Sequence, residues 1–206
     1  MLCLSPIAIA IMTSSMTLSA QVISADQITA INSQPTTPIT INDGVSVDVT
    51  GAPAITIDDP SITLSVGENP SSGSSVISDL IAVDVQPNPV DGSITDPVIN
   101  NNGTINGGTI GIRLDRDANS GGAGALVNIT NTAGSEISGG DRAIEIEADT
   151  IDLDNSGLIT VTAPNADTTN GVVFVSDQAS NVDIFNRDGG VIDSGEGTEA
   201  AAISIQ

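Results

Sequence analysis

The chain has 206 residues and is strongly acidic: 26 Asp and Glu residues face four Arg and no Lys, for a formal net charge of -22. Such a charge repels phosphate backbones and anionic membrane surfaces, so nucleic acid is not an expected partner. The sequence also lacks histidine, and its one cysteine, Cys3, lies in a segment that we expect to be removed. These absences exclude a Ser-His-Asp triad, Schiff-base lysines and Cys/His zinc sites, and we predict no catalytic residue, cofactor or metal.

Residues 1–20 are predicted to form a signal peptide for export through the Sec pathway. They carry no charge, run apolar from Ile7 to Met12, and end in small residues that permit cleavage after Ala20. The alternative, a buried strand or helix, fits less well because Pro6 and the Met/Thr/Ser tail suit neither element. The apolar run is too short for a transmembrane helix, which needs about 20 residues.

Residues 21–38 are predicted to be an extended leader or an N-terminal cap, because they contain Pro35 and Pro38 and few charges. In residues 39–96 apolar side chains recur at every second position, as in VSVDV at 45–49, which is strand periodicity. Gly, Pro, Asn and Asp separate these runs and break any helix. We therefore expect irregular, β-rich coils and no helix of ten residues.

Residues 97–206 contain a repeat in which an apolar residue, a spacer and an asparagine precede glycine and a second apolar strand. The four copies are INNNGTINGG, ITNTAGSEISGG, LDNSGLITV and IFNRDGGVIDSG. Their asparagines, Asn101, Asn131, Asn155 and Asn186, are 30, 24 and 31 residues apart, which suits a solenoid. Each copy is followed by a further strand, at 111–115, 143–148, 171–175 and 201–205.

A unit of a few four-residue strands cannot bury its own apolar face, so it must stack on copies of itself. We therefore predict an all-β fold, a right-handed parallel β-helix, with a β-sandwich as the second choice because short strands and turns also suit a sandwich. The four asparagines are predicted to form a structural ladder that satisfies backbone groups at the turns, not to bind a ligand.

Acidic residues cluster at three places and could offer oxygen ligands to calcium. The clusters are Asp58 with Asp59, Asp115 with Asp117, and Asp149 with Asp152 and Asp154. None follows an EF-hand or nonapeptide calcium pattern, so solvated surface carboxylates are the preferred interpretation. Arg113 and Arg116, beside Asp115 and Asp117, form the one cluster that a catalytic site would use, although local ion pairs on an exposed turn also explain it.

The segments NNGTINGG, NTAGSEISGG and NSGLITV resemble repeats in the passenger regions of bacterial autotransporters and related β-helical surface adhesins. The resemblance covers roughly residues 97–206. It implies Sec-dependent export, passage across a Gram-negative outer membrane, and display at the cell surface. It also implies a C-terminal translocator barrel, which this sequence lacks, so we expect the chain to be an N-terminal fragment, truncated within its coils.

The function expected on this basis is that of a non-catalytic, structural or adhesive passenger segment whose partner is a host or environmental glycan or protein. The alternative is a carbohydrate-active β-helix protein of the lyase or hydrolase type. A third possibility is a secreted, self-assembling structural protein. Carboxylates gathered in a groove beside Arg113 or Arg116 would favour the enzyme, whereas carboxylates scattered over all faces would favour the stalk.

Overall fold

A computed structural model shows how the alternating apolar residues are used. It describes residues 20–33, 37–58, 62–70, 73–86, 96–114, 126–147, 150–162, 172–176, 179, 181–194 and 201–205. Twenty short strands and no helix occur in these ranges. The predicted signal peptide falls almost wholly outside them.

The strands form three sheets, which we call sheets 1, 2 and 3. Sheet 1 contains β1 (Gln21–Ile23), β3 (Ile39–Ile41), β6 (Thr63–Val66), β9 (Val98–Asn101), β12 (Leu126–Asn131), β15 (Thr150–Asn155) and β18 (Asn181–Asn186). Sheet 2 contains β4 (Ser46–Val49), β7 (Ser75–Ser78), β10 (Thr104–Gly107), β13 (Glu136–Gly139), β16 (Leu158–Val161) and β19 (Val191–Asp193). Sheet 3 contains β2 (Ile31–Asn32), β5 (Ile55–Ile57), β8 (Ile81–Val85), β11 (Ile110–Leu114), β14 (Arg142–Ile146), β17 (Val173–Val175) and β20 (Ile203–Ile205).

From β3 onward the chain visits sheets 1, 2 and 3 in constant order, so each circuit of three strands is one coil of a solenoid. Every strand pairing among the described residues is parallel. The fold is therefore the predicted β-solenoid. The sandwich alternative is wrong, because two packed antiparallel sheets would require antiparallel pairs.

Successive side chains of each strand point alternately inward and outward, so every sheet has a buried face and an outer face. Inward residues of successive coils stack in register, as Ile105, Ile137 and Ile159 do in sheet 2. The buried apolar side chains of the described residues are all Ile, Val, Leu or Ala. Phe174 and Phe185 lie on outer faces instead, in register with Glu145 and Asp154. Aliphatic ladders thus fill a narrow interior, and both aromatic rings lie outside it.

The corner between sheets 1 and 2 has two lengths. The shorter form is Asn-x-Gly, at 101–103 and 155–157, and the longer form has two more residues before the strand of sheet 2, at 131–135 and 186–190. In the longer form the glycine has a positive φ, 82° at Gly134 and 86° at Gly189, which favours glycine. In the shorter form a Cβ on Gly103 would lie 2.3 Å from the carbonyl oxygen of Ser74 on the previous coil. Close packing of coils therefore requires this glycine.

Among the described residues there is no helix that could span a membrane. Residues 21–33 supply β1 and β2, the first strands of sheets 1 and 3.

Candidate functional site

The four repeat asparagines lie in one column at the corner between sheets 1 and 2. The amide Nδ2 of Asn101 donates to Oδ1 of Asn131 at 2.9 Å, Asn131 donates to Asn155 at 2.8 Å, and Asn155 donates to Asn186 at 2.7 Å. Asn101, Asn131 and Asn155 are fully buried. The structure thus joins all four residues in a single hydrogen-bonded chain that runs along the solenoid.

Each buried amide of this column also binds backbone. Nδ2 of Asn101 donates to the carbonyl of Glu136 on the next coil at 2.9 Å, and Nδ2 of Asn131 donates likewise to Leu158 at 3.1 Å. In the shorter corners Oδ1 accepts from the backbone NH of the glycine two residues later, at 3.1 Å for Gly103. Because each of these amides bonds to backbone as well as to the amide of the next coil, the column holds successive corners together.

Carboxylates also link coils, a role that the sequence did not reveal. Four aspartates accept a hydrogen bond from the backbone NH of a residue 20 to 30 positions away, on an adjacent coil: Asp26 from Ser46 (2.9 Å), Asp43 from Glu68 (2.7 Å), Asp79 from Gly51 (2.7 Å) and Asp96 from Leu126 (3.1 Å). None of these four aspartates belongs to the three acidic clusters named above. In the sequence each of these aspartates is seen only as an Asp near a turn residue. The backbone NH that it binds lies a whole coil away, so the contact could not be predicted.

Asp43 carries the densest of these contacts. Its carboxylate accepts from Asn69 Nδ2 at 2.6 Å, from the Glu68 backbone NH at 2.7 Å and from the Asn69 backbone NH at 3.3 Å. The Asn69 side chain, followed by these backbone donors, lowers the pKa of Asp43 below its ordinary value. The charged form of Asp43 is therefore the form that fastens this turn.

Of the predicted acidic clusters, the structure describes Asp58, Asp152 and Asp154 only; Asp59, Asp115, Asp117, Asp149 and Arg116 lie outside the described residues. Asp58 accepts from the Ser33 hydroxyl at 2.7 Å. Asp154 accepts two bonds from Arg187, at 2.8 and 2.7 Å, and this hydrogen-bonded partner lowers its pKa. No group of three or more His, Cys, Asp or Glu side chains in the described part of the chain could hold a metal ion.

Arg113 lies on the outer face of sheet 3, in a line of alternating charges. Its guanidinium donates to both oxygens of Asp84, at 2.9 and 3.1 Å, and Asp84 is buried. On the next strand Glu145 pairs with Arg142, whose Cζ lies 4.4 Å from the centre of the Phe174 ring. The carboxylates of Asp84 and Glu145 are thus already engaged by cations.

A small depression of about 210 Å³ opens beside this line and is lined by Arg113, Leu114, Glu145 and Glu147. It brings two glutamates together with the arginine that the sequence singled out. This volume is below the 300–1,000 Å³ typical of small-molecule sites.

A larger groove of about 420 Å³ lies on the outer face of sheet 1, and we call it the sheet 1 groove. Its lining is polar except for one glycine: Thr40, Ser65, Gly67, Glu68, Asn100, Asn102, Thr130 and Thr132. None of these residues could be identified from the sequence, because single Thr, Ser and Asn side chains in four separate coils carry no local motif. Their alignment is a product of strand register.

No known protein family, curated protein or solved structure matches the chain.

Proposed function

We propose that the chain is a non-catalytic, surface-displayed segment of an exported autotransporter-like protein, in which a rigid solenoid presents its outer faces to a partner. The observation that carries this proposal is the use of polar side chains between coils: the asparagine column and the four aspartates fasten successive coils to one another. Such cross-links make a stiff support. The acidic surface helps to keep an exported chain soluble.

Export is tested by producing the protein with a C-terminal epitope tag in a Gram-negative host. We expect a mature chain that begins at Gln21 and is recovered outside the cytoplasm. The control variant Ile9→Arg places a charge within the apolar run and should stay uncleaved in the cytoplasm. A wild-type chain that keeps its first 20 residues and remains in the cytoplasm would contradict the proposal.

The depression beside Arg113 supports the second candidate, a carbohydrate-active protein, because Glu145 and Glu147 lie together there and paired carboxylates cleave glycosides. Its test is reducing-sugar release or unsaturated-product absorbance from neutral and uronic-acid polysaccharides. Activity that disappears in Glu145→Gln and Glu147→Gln but persists in Glu136→Gln would establish the enzyme. We expect no product, since Glu145 is neutralised by Arg142.

A further inference from the structure

We propose that the sheet 1 groove is a binding site for an extended, neutral polysaccharide that lies along the solenoid axis. This inference deepens the proposed surface role by naming a ligand class, and it rests on that role only for its biological setting. Binding by the purified chain is measurable whether or not the chain is exported.

The floor of the groove is a straight column of hydrogen-bonding side chains. Thr40, Ser65, Asn100 and Thr130 are register partners on β3, β6, β9 and β12, so they are spaced by about 4.8 Å, the distance between strands. All four are half-buried, and none has a hydrogen-bond partner among the side-chain contacts of the described chain. Three hydroxyls and an amide are thus available to a ligand.

One wall of the groove is fixed in place by its own bonds. Nδ2 of Asn102 donates to the carbonyl of Gly67 on the previous coil at 2.9 Å. The hydroxyl of Thr132 lies 3.1 Å from the carbonyl of Asn101 and 3.0 Å from Oδ1 of Asn102. A wall whose side chains are already ordered loses little conformational entropy when a ligand binds.

The same column continues beyond the groove onto β15 and β18. Thr130 is in register with Asp154, which is in register with Phe185. Phe185 is 44% exposed. The guanidinium of Arg187 packs against one face of its ring, with Cζ 4.9 Å from the ring centre. Arg187 is itself fixed by two hydrogen bonds to Asp154. An exposed aromatic ring offers the apolar face of a sugar a surface on which to pack.

The length of the column and the net charge of the chain define the class of ligand. From Thr40 to Phe185 the column crosses five strand steps, or roughly 24 Å. A ligand that contacts all of it must be long, straight and rich in hydroxyl groups, which describes a β-linked polysaccharide chain. The net charge of -22 opposes uronic acids and sulfated sugars, and the one arginine at this column is paired with Asp154.

The test is calorimetry with the purified mature chain and a set of neutral β-1,4-linked hexasaccharides of glucose, mannose and xylose. We expect at least one hexasaccharide to bind, its disaccharide to bind more weakly, and hexagalacturonate not to bind. Replacing Asn100 and Thr130 together by Ala should weaken binding about tenfold or more, because two hydrogen bonds are lost. Phe185→Ala should weaken hexasaccharide binding about fivefold and leave disaccharide binding unchanged.

Matched controls are available on the other faces. The double variant Thr104→Ala/Asn106→Ala removes the same residue types from the outer face of β10 in sheet 2, and Phe174→Ala removes the aromatic ring of sheet 3. Both should bind like the wild type, and thermal unfolding should show that every variant is folded. Failure of all three neutral hexasaccharides to bind, or equal loss in the Thr104→Ala/Asn106→Ala control, would overturn the inference while leaving the export result untouched.

Discussion

Asparagine at the corner between sheets 1 and 2 replaces an apolar column with a polar one. In the first coils the same register position holds Ile23, Ile41 and Val66, and the column becomes asparagine only from Asn101 onward. A buried amide is tolerated there because its oxygen and its nitrogen both have hydrogen-bond partners, in its own corner or on a neighbouring coil, which avoids the cost of unpaired polar groups. The repeat was therefore visible only in the second half of the sequence.

Replacing Asn131 by Ala tests this column at its centre. The change removes donors to Asn155 and Leu158 and an acceptor for Asn101, and we expect a loss of about 2–4 kcal/mol in the free energy of unfolding. The matched variant Asn186→Ala, at an exposed end of the column, should cost about 1 kcal/mol. Urea unfolding followed by circular dichroism measures both, and equal effects would show that position in the column is irrelevant.

The Asp43 carboxylate should make the first corner sensitive to acid. Its pKa is lowered in the folded chain, so the stability that it contributes is complete above the unfolded pKa and is lost as pH falls through the folded value. We expect Asp43→Asn to destabilise the chain at pH 7 and to differ less from the wild type at pH 3.

The control for Asp43→Asn is Asp48→Asn, a change of an exposed carboxylate on the outer face of β4 that leaves the contacts to Glu68 and Asn69 intact. Thermal unfolding at the two pH values provides the comparison. An Asp43→Asn difference that stays the same at pH 3 would mean that the charge of Asp43 does not fasten the corner.

Among the elements, the corners set how closely coils can approach. The long corners turn by placing a glycine at positive φ, whereas the short corners bring one backbone against another. The two reasons for glycine, positive φ and close backbone contact, look alike in the sequence, because both appear as Asn followed by Gly. They differ in physical cause, and so their glycines should respond differently to the addition of a single methyl group.

The variants Gly103→Ala and Gly44→Ala distinguish the two reasons for glycine, close backbone contact at Gly103 and positive φ at Gly44. A Cβ at Gly103 would meet the backbone oxygen of Ser74 at 2.3 Å, and we expect a cost of about 3 kcal/mol because backbone cannot move aside without disturbing the stack. Gly44 has φ 75° and open space around it, so alanine there should cost about 1 kcal/mol of backbone strain. Chemical denaturation measures the free energy of unfolding of both variants. A larger loss in Gly44→Ala than in Gly103→Ala would contradict this explanation.

Over the whole molecule, burial of the inward ladders is not uniform. In β9–β16 the inward aliphatic side chains are almost completely buried, whereas Ile203 and Ile205 of β20 are 39% and 58% exposed although they continue the inward column of Val173 and Val175. Local opening is easiest where the least apolar area is lost from water.

Amide hydrogen exchange of the chain should therefore be slowest in the strands from β9 to β16 and faster in β18, β19 and β20. Mass spectrometry of peptic fragments gives the comparison directly. Uniform exchange over all coils would indicate a single cooperative unit and would contradict a stability that is summed coil by coil.

The amino-acid sequence by itself determined the strand class, the aliphatic interior and the stacking of coils. Period-two alternation fixes which side chains face inward, and the recurring Asn and Gly residues mark one corner of each coil in the second half. These are local properties, written within a few residues, and need no knowledge of distant parts of the chain. The short repeat unit, which cannot bury its own apolar face, then leaves stacking as the way to remove that face from water.

The tertiary structure alone decided which outer side chains become neighbours. Coil lengths vary, as the 24 to 31 residues between successive asparagines show, so the partner of a given Thr or Asp cannot be counted along the sequence. Register across strands aligned Thr40, Ser65, Asn100 and Thr130 into the sheet 1 groove, and it brought Asp43 to the backbone of Glu68. Parallel pairing makes neighbours of residues a whole coil apart, which no short sequence motif records.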